Sequence, residues 1–408
     1  MINKIKELEK LSRLLDPIES QRKKWNSEVL DYSNTFINNL DTSKAFIKSK
    51  ENGKEIYNLD IEEQAIELGP LLESTTKNID GVGINPASGG HMGYIPGGGL
   101  YPSALGDFIA AVSNRYAGVF YAAPGAVRLE NMLIRWMCRL MGYPNNAFGN
   151  LTSGGSIANL MALVTAREVY NIKARDFERS VIYLSEQAHH SILKAIRISG
   201  LSEAQLRYIP LDENLKLSTS HLEKAIIEDK KNGLIPFYIN ASFGTTNTGT
   251  VDPLESIATI AKKHKLWFHV DAAYGGFFKL VHELDSKFKD IKEADSITLD
   301  PHKTLFLPYG TGAVLIKNKK HLHHEEIDEY STERKLRHVN STEEQISYNE
   351  IVELLEDQNV NENKDQNNIN KKLKLLFNEC SISNFLVRYE IDNGDGYTTK
   401  ITIIIKIR

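Results

Sequence analysis

A lysine set between two apolar runs carries the first chemical signal in this chain. Lys303 closes the stretch Asp300-Pro301-His302-Lys303, which follows the β-like run Ser296-Ile297-Thr298-Leu299 and precedes a second one, Thr304-Leu305-Phe306-Leu307. Burying an ammonium is costly unless it is paired or neutralised. A lysine whose pKa falls becomes a nucleophile toward a carbonyl, which is how a Schiff base begins. Taken alone, Lys303 reads more readily as an exposed residue on a surface turn. Three other features bear on the choice. Asp271 ends the apolar run Leu266-Trp267-Phe268-His269-Val270, and His189 opens a helical stretch with His190 and Ser191. Ser153-Gly154-Gly155-Ser156 leads into a good helix former that runs to Arg167. Backbone N–H groups at such a helix start, with the dipole behind them, hold a phosphate, and Ser156 adds a hydroxyl. A Ser-capped helix without a ligand has the same letters.

The elements that must position these groups alternate in type. Strands are expected at 181–185, 206–209, 235–241 and 266–270, and helices at 188–199, 222–231 and 252–265. Such alternation predicts an α/β fold with a mostly parallel central sheet covered by helices on both faces. Ligands of such sheets sit beyond the strand carboxyl ends. Asp271, His189, Thr246 and Lys303 all fall at or just after predicted strand ends, which points to one shared site. An acid at a strand end, a lysine and a phosphate-binding helix start fit pyridoxal 5'-phosphate. This cofactor needs an amine for its aldehyde, a carboxylate to keep its pyridine nitrogen protonated, and a phosphate anchor. Lys303 takes the first role, Asp271 the second, and His189 stacks on the ring. A capped strand end and a helix-start histidine are the plainer accounts of Asp271 and His189.

Composition narrows the class. The 408 residues are 41% hydrophobic, enough for a large catalytic domain with a smaller companion. A net charge of -4, from 49 basic and 53 acidic residues, offers no basic field for nucleic acid. Two cysteines, Cys138 and Cys380, have neither ligand spacing nor a framework, and suit a reducing cytosol. The first residues lack the apolar core of a signal peptide, and no apolar run reaches the roughly 18 residues that cross a bilayer. The expectation is a soluble cytoplasmic protein that binds neither membrane nor nucleic acid.

Four motifs in order carry a resemblance: Ser153-Gly154-Gly155-Ser156-Ile157-Ala158-Asn159, Gln187-Ala188-His189, His269-Val270-Asp271-Ala272-Ala273-Tyr274-Gly275 and Asp300-Pro301-His302-Lys303. Together they resemble the group II pyridoxal-phosphate-dependent amino-acid decarboxylases, which include the aromatic-L-amino-acid, histidine and glutamate enzymes and share the fold-type I architecture of aspartate aminotransferase. The likeness covers roughly residues 80 to 318. It implies that Lys303 carries the cofactor, His189 stacks on it and Asp271 pairs its ring nitrogen. It implies Gly155, Ser156, Ser296 and His302 around the phosphate, with Asp300 at a position the family fills with Asn or Asp. An Asp there has to be protonated or otherwise compensated. Thr246 and Ala273 flank the ring, and Tyr94, Ile95 and Gly97 fall in the substrate pocket, a loop that is more aromatic in members acting on aromatic acids. The reaction implied is decarboxylation of an L-amino acid to its amine and CO2, by a homodimer. Another fold-type I lyase, an aldehyde synthase, an aminotransferase and a pyridoxal-phosphate-binding pseudoenzyme are the alternatives.

The remaining chain divides by texture. Residues 1–80 form an N-terminal helical segment, with Leu8, Leu11, Leu14 and Leu15 at helical intervals, which suits a dimer clasp or a layer packed on the body. Residues 81–106 are glycine-rich and line a site or form an ordered loop. Residues 81–318 make the cofactor-binding domain and 319–408 a divergent C-terminal segment. In that segment His321 to Glu326 fits no zinc pattern, so no metal is expected. Residues 355–371 read as a linker, and 385–407 as a hairpin across Asn393-Gly394-Asp395-Gly396. The family's catalytic loop and small domain have no recognisable counterpart there, and Tyr330 has neighbours that do not match the loop tyrosine.

Overall fold

A computed structural model of the chain describes residues 2–322, apart from 13, 14, 16, 61–65, 94, 96 and 119, together with 384–392 and 398–406. The chain divides into two compact units, Met1–Ser113 with Glu130–His323, and Asn114–Leu129 with His324–Arg408.

The first unit is built on a seven-stranded sheet. Its strands are β1 Phe148–Thr152, β2 Ser180–Leu184, β3 Gln205–Tyr208, β4 Ile235–Ser242, β5 Trp267–Asp271, β6 Ser296–Leu299 and β7 Gly312–Ile316. They lie side by side as β1-β7-β6-β5-β4-β2-β3. The pairs β2–β3, β2–β4, β4–β5 and β5–β6 are parallel, and β7 runs antiparallel to both β6 and β1. Every residue of β2, β5, β6 and β7 is buried. Burial on both faces explains their near-continuous apolar sequence.

Side-chain alternation sorts these residues between two cores. Ile182, Leu184, Phe237, Val314 and Ile316 pack with the helices Gly155–Val169 and Ser191–Ile198. Val181, Tyr183, Ile239, Phe268, Val270 and Leu315 pack on the other face with Thr219–Lys231 and Leu254–His264. In the first of these helices Ala158, Ala162 and Ala166 recur at every fourth residue and are fully buried. Their small size brings the helix backbone close to the sheet, which places its N-terminus beside the strand ends.

Two expectations change. The run Thr304-Leu305-Phe306-Leu307 is not a strand. Pro301–Thr304 makes one helical turn, Phe306 takes a left-handed φ of 54°, and its carbonyl accepts from the Leu100 N–H. Pro308 behind it has no N–H for a ladder. The edge strand β1 has no counterpart among the expected strands, because Gly149 and Asn150 have weak strand character and are held by pairing to β7.

The helices Ile2–Ser12, Glu19–Asn38 and Leu68–Thr75 account for much of the N-terminal segment, and Glu19–Asn38 buries none of its residues. In the second unit β8, Asn384–Asp392, pairs antiparallel with β9, Thr398–Lys406, over nine residue pairs. The linker-like stretch 355–371 and Tyr330 lie outside the described residues.

A buried carboxylate ties the far edge of the sheet to its covering helix. Asp229, on Thr219–Lys231, is 3% exposed. It accepts from Arg207 Nε and Nη2 on β3 at 3.0 and 2.8 Å, and from the Tyr183 hydroxyl on β2 at 2.8 Å. Removing one partner of a buried ion pair strands the other charge. Arg207→Ala is expected to lower unfolding free energy by about 3 kcal/mol in urea titrations, since only the Tyr183 hydroxyl remains. An unchanged midpoint would mean that Asp229 reaches water on its own.

Candidate active site

The carboxyl ends of the parallel strands open into a cavity of about 350 Å³. Asp271 is the last residue of β5, and Ala273 and Tyr274 follow it. Thr246 comes from the loop after β4, His189 from the loop after β2, and Asp300, His302 and Lys303 from the turn after β6. The helix start at Gly154, Gly155 and Ser156 closes the ring of residues. Gly154 has φ 137°, a conformation that favours glycine. A Cβ on Gly155 would stand 2.7 Å from Asp300 Oδ2, so only glycine allows this approach of helix start and carboxyl.

Lys303 Nζ lies 3.0 Å from Asp300 Oδ2, and His302 Nε2 lies 3.9 Å from the same oxygen. His302 Nδ1 donates to the Thr311 carbonyl, which fixes the ring. Asp300 is 2% exposed, and its Oδ1 has no hydrogen-bond partner among the described residues. Burial raises the Asp300 carboxyl pKa; the Lys303 and His302 charges oppose the shift, and Asp271 adds to it.

Asp271 is 8% exposed and has both oxygens engaged: Oδ2 accepts from Asn159 Nδ2 at 2.9 Å and Oδ1 from the Ala273 N–H at 3.1 Å. His189 Nδ1 lies 2.8 Å from Ser191 Oγ. Burial lowers the His189 pKa; Asp271 opposes the shift, while His190, Lys303 and Lys194 add to it. Behind the cavity His269 is fully buried, and burial holds its imidazole down at about 4, against a smaller opposing pull from Asp271.

These groups fit pyridoxal phosphate. An amine, a carboxylate held by two donors and a glycine helix start face one cavity, with an orphaned buried carboxyl oxygen next to that helix start. Asp300 suits a phosphate when protonated, because it then donates rather than repels, and its burial favours that form.

Of the residues read from the sequence, Ile95, Gly155, Ser156, His189, Thr246, Asp271, Ala273, Asp300, His302 and Lys303 line this cavity. Ser296 does not. It is fully buried at the opposite end of β6, bonded to Trp267 Nε1 and His269 Nδ1, and four strand residues place it about 13 Å along the chain from Asp300. Gly97 is also absent from the lining: it faces the Phe306 ring, where a Cβ would meet a ring carbon at 2.8 Å. Tyr94 lies outside the described residues. Asn159 lines the cavity with no role assigned from the sequence. Its signal was position, since it follows Gly155 by one helical turn and therefore shares its face.

Residues 51–341 match the pyridoxal-dependent decarboxylase conserved domain. Over 231 residues the chain is 38% identical to the aromatic-L-amino-acid decarboxylase of Bacillus atrophaeus, covering 57% of this chain and 48% of that protein. Over 242 residues it is 32% identical to tyrosine decarboxylase 2 of Narcissus pseudonarcissus, with the same coverage. The chain therefore spans about half the length of these relatives. The crystal structure of Rhodiola rosea 4-hydroxyphenylacetaldehyde synthase superposes with a TM-score of 0.70 at 22% identity, covering 75% of this chain and 68% of that one. This similarity bears on the fold: a sheet and helices of the fold-type I class.

The depressed His269 pKa has a signed consequence for stability. Between pH 6.5 and 4 the unfolded chain binds a proton at this residue that the folded chain refuses, so stability falls as pH is lowered through that window. The loss attributable to His269 approaches about 3 kcal/mol. Urea titrations at pH 7 and pH 4.5 should show a shallower pH slope in His269→Phe than in the wild type, whatever the absolute stability of the variant. Equal slopes would reject the assignment.

Proposed function

Because the chain belongs to the pyridoxal-dependent decarboxylase family, we propose that it binds pyridoxal 5'-phosphate at Lys303 and decarboxylates an L-amino acid to its amine and CO2. The observation that carries this reading is the convergence of Lys303, Asp271, His189 and the Gly154–Ser156 helix start on one cavity. Pyridoxal phosphate, when bound, supplies an electron sink for the pair left behind as the carboxylate departs.

The chain's own residues have the remaining tasks. The Lys303 amine would hold the cofactor through its aldehyde carbon. The Asp271 carboxylate keeps the pyridine nitrogen protonated through opposite-charge attraction, and its two donors hold it in place for that contact. His189 would cover one face of the ring, with Thr246 and Ala273 beside it. The N–H groups at Gly155 and Ser156 take the phosphate together with Asp300 and His302. Ile95 stands in the substrate pocket. A recessed site strips water from the substrate carboxylate, which favours its loss as CO2.

The substrate class we favour is an aromatic L-amino acid, on the strength of the 38% identity to a bacterial enzyme of that name. We also propose a homodimer. The helix Tyr101–Ser113 buries none of its residues and exposes Phe108, Ile109 and Val112 at 57, 67 and 70%, and an apolar face of that kind suits a second copy of the chain. A cytosolic location is supported by Cys138, a buried free thiol.

Two outcomes test these proposals. Wild-type protein soaked with pyridoxal phosphate should gain a visible absorption band and release CO2 from at least one of L-phenylalanine, L-tyrosine and L-tryptophan, and Lys303→Ala should lose both. A colourless wild type, or release that survives in Lys303→Ala, would sink the reading. Light scattering should give twice the chain mass, and Ile109→Asp should shift it toward one.

A further inference from the structure

The buried side chains behind the cavity form a continuous set of hydrogen bonds whose direction is fixed at the carboxylate end. At one end is Trp267, whose indole N–H donates and cannot accept. It lies 2.8 Å from Ser296 Oγ, which lies 2.8 Å from His269 Nδ1. His269 Nε2 is 3.0 Å from Asn159 Oδ1. At the other end is Asp271, an acceptor, 2.9 Å from Asn159 Nδ2.

Each polarity follows from its neighbour. A carboxylate accepts, so the amide presents NH2 to Asp271 and its oxygen to His269. His269 must then donate from Nε2. Its buried imidazole is neutral, so Nδ1 accepts from the Ser296 hydroxyl, and Ser296 accepts from Trp267. The carboxylate end thus assigns every proton as far as Trp267, whose donor agrees with it, and this fixes an amide orientation and a tautomer that distances alone leave ambiguous.

A branch reaches the other face of the site. The second Asn159 N–H meets Ser191 Oγ at 3.0 Å, leaving that hydroxyl to donate to His189 Nδ1. The Ser191 backbone N–H also points at His189 Nδ1, at 3.3 Å. His189 Nδ1 is therefore an acceptor twice over, and the neutral ring carries its proton on Nε2.

We infer that Asn159 is a positioning residue that locks Asp271 and His189 together: held by the Trp267–Ser296–His269 relay, it orients the carboxylate and, through Ser191, sets the His189 tautomer. The part of this inference that concerns the cofactor rests on the reading above; the part that concerns His189 does not. It also gives Ser296 a place in the relay, remote from the cavity.

The test uses full-length protein labelled with 15N-histidine, first without added cofactor. Wild type should show His189 as the Nε2–H tautomer, titrating below 6.5. In Asn159→Asp the new carboxylate accepts from Ser191, withdraws that hydroxyl from His189 Nδ1, and adds negative charge beside the ring. The other charged groups facing His189, namely Asp271, His190, Lys303 and Lys194, are unchanged. Its midpoint should rise by about one pH unit or more. Pyridoxal phosphate affinity should weaken by about tenfold or more, because the amide donor that holds Asp271 is replaced by a like charge that repels it. Ser191→Ala breaks the branch without adding charge. It should raise the His189 midpoint, because a donor to the neutral ring is lost while the residue 191 N–H still holds the tautomer, and should leave cofactor affinity within about threefold.

A residue that only fills space would lower the melting temperature and leave the His189 titration unmoved. An unmoved titration in folded Asn159→Asp overturns the proposal, and where that variant fails to fold, an unmoved His189 midpoint in Ser191→Ala does so. Failure of the wild type to bind pyridoxal phosphate would reject the cofactor reading and leave the His189 result standing.

Discussion

A carboxylate accepts hydrogen bonds and does not donate them, and the site depends on that asymmetry at Asp271. The group sits at the end of β5, 8% exposed, where an unsatisfied charge would be expensive. Two donors meet it, one from the chain just beyond the strand and one from the helix Gly155–Val169. The second donor is an amide, which has two ends. Fixing one end on Asp271 commits the other to His269, and so dictates proton positions as far as Trp267. Electrostatics at one residue thereby organises a layer of buried polar groups that no apolar pattern requires.

The same helix couples that layer to the anion end of the cavity. Its N-terminus carries Gly154, Gly155 and Ser156, and one turn later it carries Asn159. Alanines at every fourth residue let it lie close to the sheet, and the missing Cβ of Gly155 lets it approach Asp300. Small residues therefore act on function through distance: they bring a helix dipole, an amide and a buried acid within reach of a single ligand-sized space.

Much of this was legible in the sequence because it follows from period and punctuation. Strands buried on both faces leave continuous apolar runs, and the parallel sheet collects their ends, which is why Asp271, His189, Thr246 and Lys303 could be placed at one site from their order alone. What escaped was set by pairing and by side-chain direction. Gly149 and Asn150 have little strand propensity, and their stretch becomes β1 through pairing to β7. Thr304 to Leu307 has ample propensity, yet the left-handed φ at Phe306 and the proline behind it rule the strand out. Ser296 opens the strand that leads to Lys303, and the length of β6 sets it at the far end, against Trp267 and His269. Asn159 was visible as a letter, while its role depended on partners 32, 110 and 112 residues away along the chain.

Asp300 shows how the two ends of the cavity constrain each other. A buried acid with one orphaned oxygen would normally be neutral, and burial does raise its pKa, yet the Lys303 ammonium at 3.0 Å favours its charged form. The two groups are therefore mutually dependent, each stabilising the charge of the other in a space that favours neither. Anything that engages the Lys303 amine withdraws the compensation from Asp300, and a phosphate at the Gly155 helix start adds a second anion beside it. Both changes push the carboxyl toward its protonated form, in which it becomes a donor to the group that displaced its partner. An aspartate can stand where an asparagine would serve because burial already shifts it in that direction.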